Sequence, residues 1–433
     1  MAKLRYPLTA ESSLEAVGPY GVRRNQDRSQ IRVYLMDLWS FIPYYMARLS
    51  ASLRNESVEV TLGSARYHLD RSYFRKVGLT PDPVLLDSGG RIRASRLRRI
   101  VKSLEYLANL VILAGRVALS KPDILHVEYF PFLDHGFPFE LWFLKWVRFV
   151  GVPIVYTVHN VTYQDAPDRH IPMYKRAYQM ADALICHGKE AETQLTLDFG
   201  VPADRISVIP HGPLFDDKPR LSQREARTKL GLPTDETLVL CFGVISEYKG
   251  IPFLLDAWKQ LIQSGVSARL LVAGTGDARL LSSIREKVSL DGLETSVDLW
   301  LHFIPVEQLP LIYLAADILV YPYKAGTTSG ALLTGLNYGK PVLATKLPFF
   351  CEYLKDGENA LLFDYGDVDA LSSSLQKLIL SPDERFRLTR GAESTNQGNR
   401  SWNEIASATR KCYDNLLKTR HSYSQTTQRE SLS

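Results

Sequence analysis

The stretch YPYKAGTTSGALLTGLNYGKPVLAT, residues 321–345, runs from an apolar segment through a loop of glycines and hydroxyls into a short helical pattern. GKPV and a second apolar segment follow. Strand, loop, helix and strand in so short a span read as one turn of a parallel βαβ unit. The same grammar extends outward. TLVLCFGVI, ARLLVAG, VDLWLHF, DILVYPY, PVLAT and ALLF are six strand candidates of the second half, and helical patterns or helix signals separate the first five. The first half repeats it less cleanly, with IRVYLMDL, VEVTLGS, DILHVEYF, IVYTVHN and DALICHG as strands and YYMARLSASL, ELWFLKWVRFV and MYKRAYQM as helices. The expected fold class is α/β: two doubly wound Rossmann-like domains facing across a cleft.

A chain of 433 residues exceeds what one core usually supports, which agrees with two domains. The Pro, Gly and Asp cluster in ISVIPHGPLFDDKPRLSQ places the linker near 211–222. The expected boundaries are a polar lead over 1–30, a first domain over 31–212, a second over 213–400, a C-terminal helix over 401–419 and a disordered tail over 420–433. A net charge of +5 with 23% charged residues gives no footing for nucleic acid, and the excess of Lys and Arg lies in the first half. Four widely spaced cysteines show no metal or redox spacing, which suits a reducing compartment. No apolar run reads as a membrane span or a secretion signal, so the expected location is cytoplasmic.

Ligands of doubly wound sheets bind beyond the carboxyl ends of the strands, so the loops there are the candidate site. KAGTTSG is such a loop, opening a helix whose N-terminus offers unpaired N–H groups to an anion. Thr327, Thr328, Ser329 and Gly330 are candidate phosphate contacts, although Ser and Thr there equally cap the helix. CFGVISEYKG places Gly243 at a strand end and Lys249 just before a helix, where its charge can meet a diphosphate. LVAGTGD is a third glycine-rich exit, in which Gly274 and Gly276 permit close approach of a nucleotide.

Taken together, GVISEYKG with FLLDAW, LLVAGTGD, LAADILVYPY, SGALLTGLNYGKPVLAT and FFCEYLKDGENALLF resemble the GT-B glycosyltransferases, in particular glycosyltransferase family 4. VYTVHN, MADALICHG and ISVIPHG extend the resemblance into the first half, so that it covers about Asp123 to about Leu380 in the family's order. It implies transfer of a sugar from a nucleotide diphosphate donor, held by the second domain, to an acceptor held by the first, with anomeric configuration retained and no metal or other cofactor. The residues it implies are His159 and Lys249 at the reacting centre, with Gly243, Lys249, Gly274, Thr327, Thr328, Ser329, Gly330 and Glu352 as donor contacts. Asp37, Glu128 and Asn160 are the acceptor candidates of the first domain.

One departure is plain. The family often carries two glutamates around this loop, and the corresponding positions here are Gly326 and Thr334. The arginine often paired with the lysine is absent too. Charge neutralisation of a leaving diphosphate then falls to the helix N-terminus and Lys249. The implied acceptor is a glycan or a lipid-linked glycan. RIRASRLRRIVKSLEYLANLVILAG, residues 91–115, adds a basic amphipathic segment with Ile92, Leu97, Ile100, Val101, Leu104 and Leu107 on its apolar side, which suits an anionic membrane on the inner face of the plasma membrane or, equally, an ordinary charged helix. A catalytically silent nucleotide-sugar binder, and an epimerase or phosphorylase on the same fold, are the competing readings.

Overall fold

A computed structural model describes residues 30–64, 74, 77–88, 92, 95–162, 168–215, 218–395 and 401–430. Residues 1–29 of the polar lead and the last three positions of the expected tail lie outside the described residues. The first sheet contains β1 (Ile31–Asp37), β2 (Val58–Ser64), β3 (Ile124–Val127), β4 (Ile154–Val158), β5 (Ala183–Cys186) and β6 (Ile206–Val208), in the order β2-β1-β3-β4-β5-β6. Every pair is parallel. Beyond β2 a single parallel bridge joins Leu62 to Pro81, the trace of one more strand. Proline has no N–H for a ladder, which keeps that edge short.

The second sheet contains β7 (Leu238–Phe242), β8 (Arg269–Ala273), β9 (Val297–Trp300), β10 (Ile318–Tyr321), β11 (Val342–Thr345) and β12 (Ala360–Phe363). Its order, β12-β11-β10-β7-β8-β9, is the doubly wound one, with the reversal between β10 and β7. All six strands read from the second half are present. The four inner strands, β11, β10, β7 and β8, are buried on both faces, which is why they read as continuous apolar runs and not as alternating ones.

Local signals set the helix ends. Ser222 and Glu225 form a reciprocal capping box at the start of the helix Gln223–Leu230, which closes the linker. Gly151, at φ 85°, ends the helix Phe139–Val150 in the left-handed conformation. The C-terminal helix departs from expectation. It runs Trp402–Glu430, through most of the segment expected to be disordered from 420, and returns to the first domain. Trp402, Ile405, Ala406, Cys412 and Tyr413 join the core on one face of the first sheet, alongside Tyr45, Met46 and Leu49 of the helix Pro43–Asn55. Burying Ile405 alone is worth about 2 kcal/mol. Arg410 and Arg420 add hydrogen bonds to the carbonyls of Glu56 and Gly151, at 2.7 and 2.9 Å. The contacts to the first domain come from residues 402–420, and the helix continues past them to Glu430, where polar composition suggests a disordered tail.

Candidate active site

The carboxyl ends of the two sheets face each other, and direct hydrogen bonds cross between them. The Thr327 hydroxyl donates to Asn160 Oδ1 at 3.2 Å and lies 3.4 Å from the carbonyl of His159. The Tyr353 hydroxyl donates to the carbonyl of His187 at 3.2 Å. The linker joins them: the Leu214 amide donates to Thr334 Oγ1 at 3.2 Å, and Trp402 Nε1 donates to the carbonyl of Pro213 at 2.9 Å.

On the donor side, Lys249 closes a 3-10 turn, Glu247–Lys249, that β7 delivers through Gly243. Gly250 follows at φ 68°, where a Cβ would meet the Pro322 carbonyl at 1.9 Å. Only glycine can make that turn. The turn drives the lysine inward, and its ammonium is buried over the Tyr323 ring, 3.8 Å from the centroid, while donating to the Tyr323 hydroxyl. Burial lowers the Lys249 pKa to about 7. The Tyr323 hydroxyl lies 3.2 Å from Ser329 Oγ, which accepts the Leu332 amide at 3.2 Å and so caps the helix Gly330–Asn337. Lys249, Tyr323 and Ser329 thus form one connected polar edge at the helix N-terminus. Ser329 serves as cap and stands in the predicted anion site at once.

The same loop explains the missing acids. Gly326 has φ 147°, a conformation that side chains rarely adopt, and a Cβ would lie 3.2 Å from the Phe349 ring. Thr334 is 1% exposed, wedged between helix and linker, with its hydroxyl donating to the Gly330 carbonyl at 2.7 Å. A carboxylate at 334 would be buried between helix and linker, and one at 326 would need a strained backbone and a displaced Phe349 ring.

Several expected contacts are placed elsewhere. Gly274, at φ 147°, abuts the Gly243 carbonyl, which a Cβ would approach to 1.8 Å; Gly276 stands against the Ile245 carbonyl in the same way. Adjacent strand exits crossing at close range account for both glycines. Glu352, expected as a donor contact, reaches across to the first domain: its carboxylate accepts the Glu190 amide at 3.0 Å and sits on the N-terminus of the helix Lys189–Leu197. Asp37 is fully buried and accepts the amides of Trp39 and Ile42, at 3.2 and 3.0 Å, which caps the turn into the helix Pro43–Asn55. Burial raises its pKa to about 6 despite those bonds. Glu128, expected as an acceptor contact, is 1% exposed and bonded to His159 Nε2 at 2.8 Å.

His159, expected at the reacting centre, has its ring engaged within the first domain. Its Nδ1 pairs with His187 Nε2 at 3.0 Å, and His187 Nδ1 pairs with the carbonyl of Ile209 at 3.0 Å. Both ring nitrogens of His159 are therefore held within the first domain, and the atoms it turns to the donor loop are its carbonyl oxygen and neighbour Asn160. The Tyr45 ring packs on His159, His187, His211 and Trp402 with centroids 4.8 to 5.6 Å away. Sequence reasoning missed Tyr323, His187 and Tyr45. One signal was available for His187: YTVHN, LICHG and VIPHG each put a histidine at or just past a strand end. Tyr45 left none, because an aromatic in a helix reads as core.

Family models match both halves of this geometry. The model "Glycosyl transferase 4-like domain" covers residues 42–212, and "Glycosyl transferases group 1" covers 222–395. A D-inositol 3-phosphate glycosyltransferase of Xylanimonas cellulosilytica is 28% identical over 69% of this chain and 73% of its own length. An alpha-monoglucosyldiacylglycerol synthase of Streptococcus pneumoniae is 26% identical over 55% of this chain and 56% of its own. Among solved structures, Anabaena Alr3699/HepE in complex with UDP and glucose superposes with a TM-score of 0.70 at 15% identity, covering 89% of this chain and all of that one. Two matched halves in the family's order, on two doubly wound sheets joined by a returning C-terminal helix, place this chain among the group 1 glycosyltransferases of GT-B fold.

Proposed function

We propose that the protein transfers a sugar from a nucleoside diphosphate donor to a glycan or lipid-linked acceptor in polysaccharide or glycolipid synthesis, with retention and without a metal. UDP is the nucleotide of the superposable Anabaena complex and is the first donor base to test. The observation that carries the reading is the edge of Lys249, Tyr323 and Ser329 at the mouth of the helix Gly330–Asn337, with Gly326 and Thr334 where acids would stand. A diphosphate there meets a cation and helix amides, and both stabilise the charge that grows on it as the glycosidic bond breaks.

A lipid-linked acceptor, with the enzyme docked on an anionic leaflet on the cytoplasmic side, is supported by the outer face of the first domain. Leu97, Ile100, Leu104 and Val111 form an exposed stripe on the helix Ser95–Ser120. Beside it the helix Phe139–Val150 exposes Trp142, Trp146 and Phe149, with Lys145 and Arg148, and Trp146 Nε1 donates to the Ala114 carbonyl at 3.1 Å. Indole rings among basic residues suit a membrane interface. Leu107, by contrast, packs on the core. Among the described residues no helix is long and apolar enough to cross a membrane.

Thermal-shift titration with UDP, GDP, ADP and their sugar conjugates tests the donor reading. Stabilisation by one diphosphate, weakened in Lys249→Ala and in Ser329→Trp, is the expected result. Absence of stabilisation by all of them at saturating concentration counts against it.

A further inference from the structure

The hydrogen-bond chain behind the cleft determines where its protons are. The Ile209 carbonyl can only accept, so His187 must carry a proton on Nδ1 to bond it at 3.0 Å. A neutral His187 then presents a bare Nε2, and the 3.0 Å contact to His159 Nδ1 requires that His159 donate from that nitrogen. His159 Nε2 is left with a lone pair aimed at Glu128 Oε2, 2.8 Å away. Two lone pairs at that distance repel, so one further proton lies between them.

A carboxylate with an imidazolium would satisfy the same geometry, but the surroundings disfavour two charges. Glu128 is 1% exposed, His159 9% and His187 3%. The groups that face the pair are His126 and Thr157, the rings of Tyr45 and His211, Asp37 at the end of β1, and Tyr413 of the C-terminal helix. His126 is itself held between the Tyr413 and Thr157 hydroxyls, at 2.6 Å each, with Nε2 3.4 Å from Glu128 Oε1. No lysine or arginine is among them, and a buried ion pair without added charge partners pays a large desolvation penalty.

We propose that Glu128 is a neutral carboxylic acid that donates to His159 Nε2, and that it is the positioning residue that fixes the His159–Asn160 turn for its contact with Thr327 of the donor loop. The importance of that contact for transfer rests on the reading given above; the proton's location does not. Burial favours the neutral form of each partner, raising Glu128 to about 7 against the opposing pull of His126 and the Thr157 hydroxyl, and lowering His159 to about 3. Removing the acid proton would face the Nε2 lone pair with a carboxylate. His159 could then bond Glu128 only by moving its proton to Nε2, which turns its bare Nδ1 toward the bare Nε2 of His187. One link of the chain must break.

The test uses the full chain labelled with 15N-histidine, with His159 and His187 assigned by loss of their signals in His159→Gln and His187→Gln. Long-range 1H–15N spectra at pH 6 are expected to show both rings neutral, with the proton on Nδ1 and a bare Nε2. In the wild type the His159 pattern changes as pH rises through about 7. In Glu128→Gln, whose amide N–H also donates to Nε2, it persists across pH 6–8.5, and turnover measured at saturating donor, where Lys249 is already protonated in the complex, loses the matching alkaline fall. Glu128→Ala keeps the Nδ1 proton that His187 and Ile209 impose, loses the pH dependence of the pattern, and loses at least 10-fold in turnover. A ring protonated on Nε2, or on both nitrogens, at pH 6 overturns the proposal, and so does a titration in Glu128→Gln identical to that of the wild type. The spectra need no substrate. Failure of every nucleotide to bind would therefore sink the donor reading and leave this one standing, and the reverse holds equally.

Discussion

The Glu352 carboxylate of the second domain accepts the Glu190 amide of the first at 3.0 Å, and the first domain makes room for it with a glycine. A Cβ on Gly188 would lie 2.4 Å from Glu352 Oε2. The helix Lys189–Leu197 has no side-chain cap of its own, so the other domain supplies the acceptor for its first turn. Loss of such a cap costs about 0.5–2 kcal/mol, and here the cost falls on the closed arrangement of the domains. Glu352→Ala and Gly188→Ala should both raise the radius of gyration seen by small-angle scattering without nucleotide. Each should raise the donor KM by roughly 2- to 30-fold, the rate equivalent of that energy, with a smaller effect on kcat. Unchanged scattering in both variants would show that the cap does not hold the cleft.

Lys249 makes donor affinity depend on pH. Its pKa is lowered to about 7 by burial, so above that pH the free protein holds a neutral amine and a diphosphate must bind a proton together with the donor. The expected profile for a nucleotide sugar, whose phosphates do not titrate near neutrality, is flat below about pH 7. Above it Kd rises by up to about 10-fold per pH unit. Lys249→Met should bind weakly at every pH and lose the slope. Calorimetry between pH 6 and 9 measures both, and a slope that survives in Lys249→Met would move its origin to another group.

Tyr323 bridges Lys249 to Ser329, so removing one hydroxyl should act on both. Tyr323→Phe keeps the ring beneath the ammonium and removes the shared hydrogen bonds. About 1 kcal/mol of stability should go, with a weaker donor interaction of about 5- to 10-fold. Ser329→Ala removes the helix cap as well and should cost about 1–2 kcal/mol in urea titrations. If Tyr323→Phe binds donor as the wild type does, the tyrosine merely fills space.

The exposed aromatic face predicts a composition-dependent membrane affinity. Binding to vesicles of anionic and zwitterionic lipid, followed by sedimentation, should favour the anionic ones and weaken with salt. Trp142→Ser with Phe149→Ser should reduce it at least 10-fold while leaving nucleotide stabilisation intact, since both side chains lie on the outer face, at 58% and 82% exposure. Equal binding by the double variant would remove this face from the argument.

Periodicity and element order were legible along the chain alone. Continuous apolar runs such as LVLCF and ILVY, spaced by helix patterns and punctuated by Gly243, Gly250 and Gly339, specify parallel strands covered on both faces, because nothing else buries such runs. The same local grammar located Lys249 and the Thr327–Gly330 loop at strand exits. Which polar groups already have partners emerged from the folded chain. Glu128, Asp37 and Glu352 looked like free carboxylates near a cleft, and each is committed to a partner: His159 at 31 residues' separation, a turn of its own strand exit, and a helix 162 residues away in the other domain. The C-terminal helix is the same lesson, since its Arg410 bonds the Glu56 carbonyl 354 positions earlier. Hydrogen-bond partners, proton positions and burial depend on distances that close only when the chain returns on itself, and one-dimensional spacing carries no record of them.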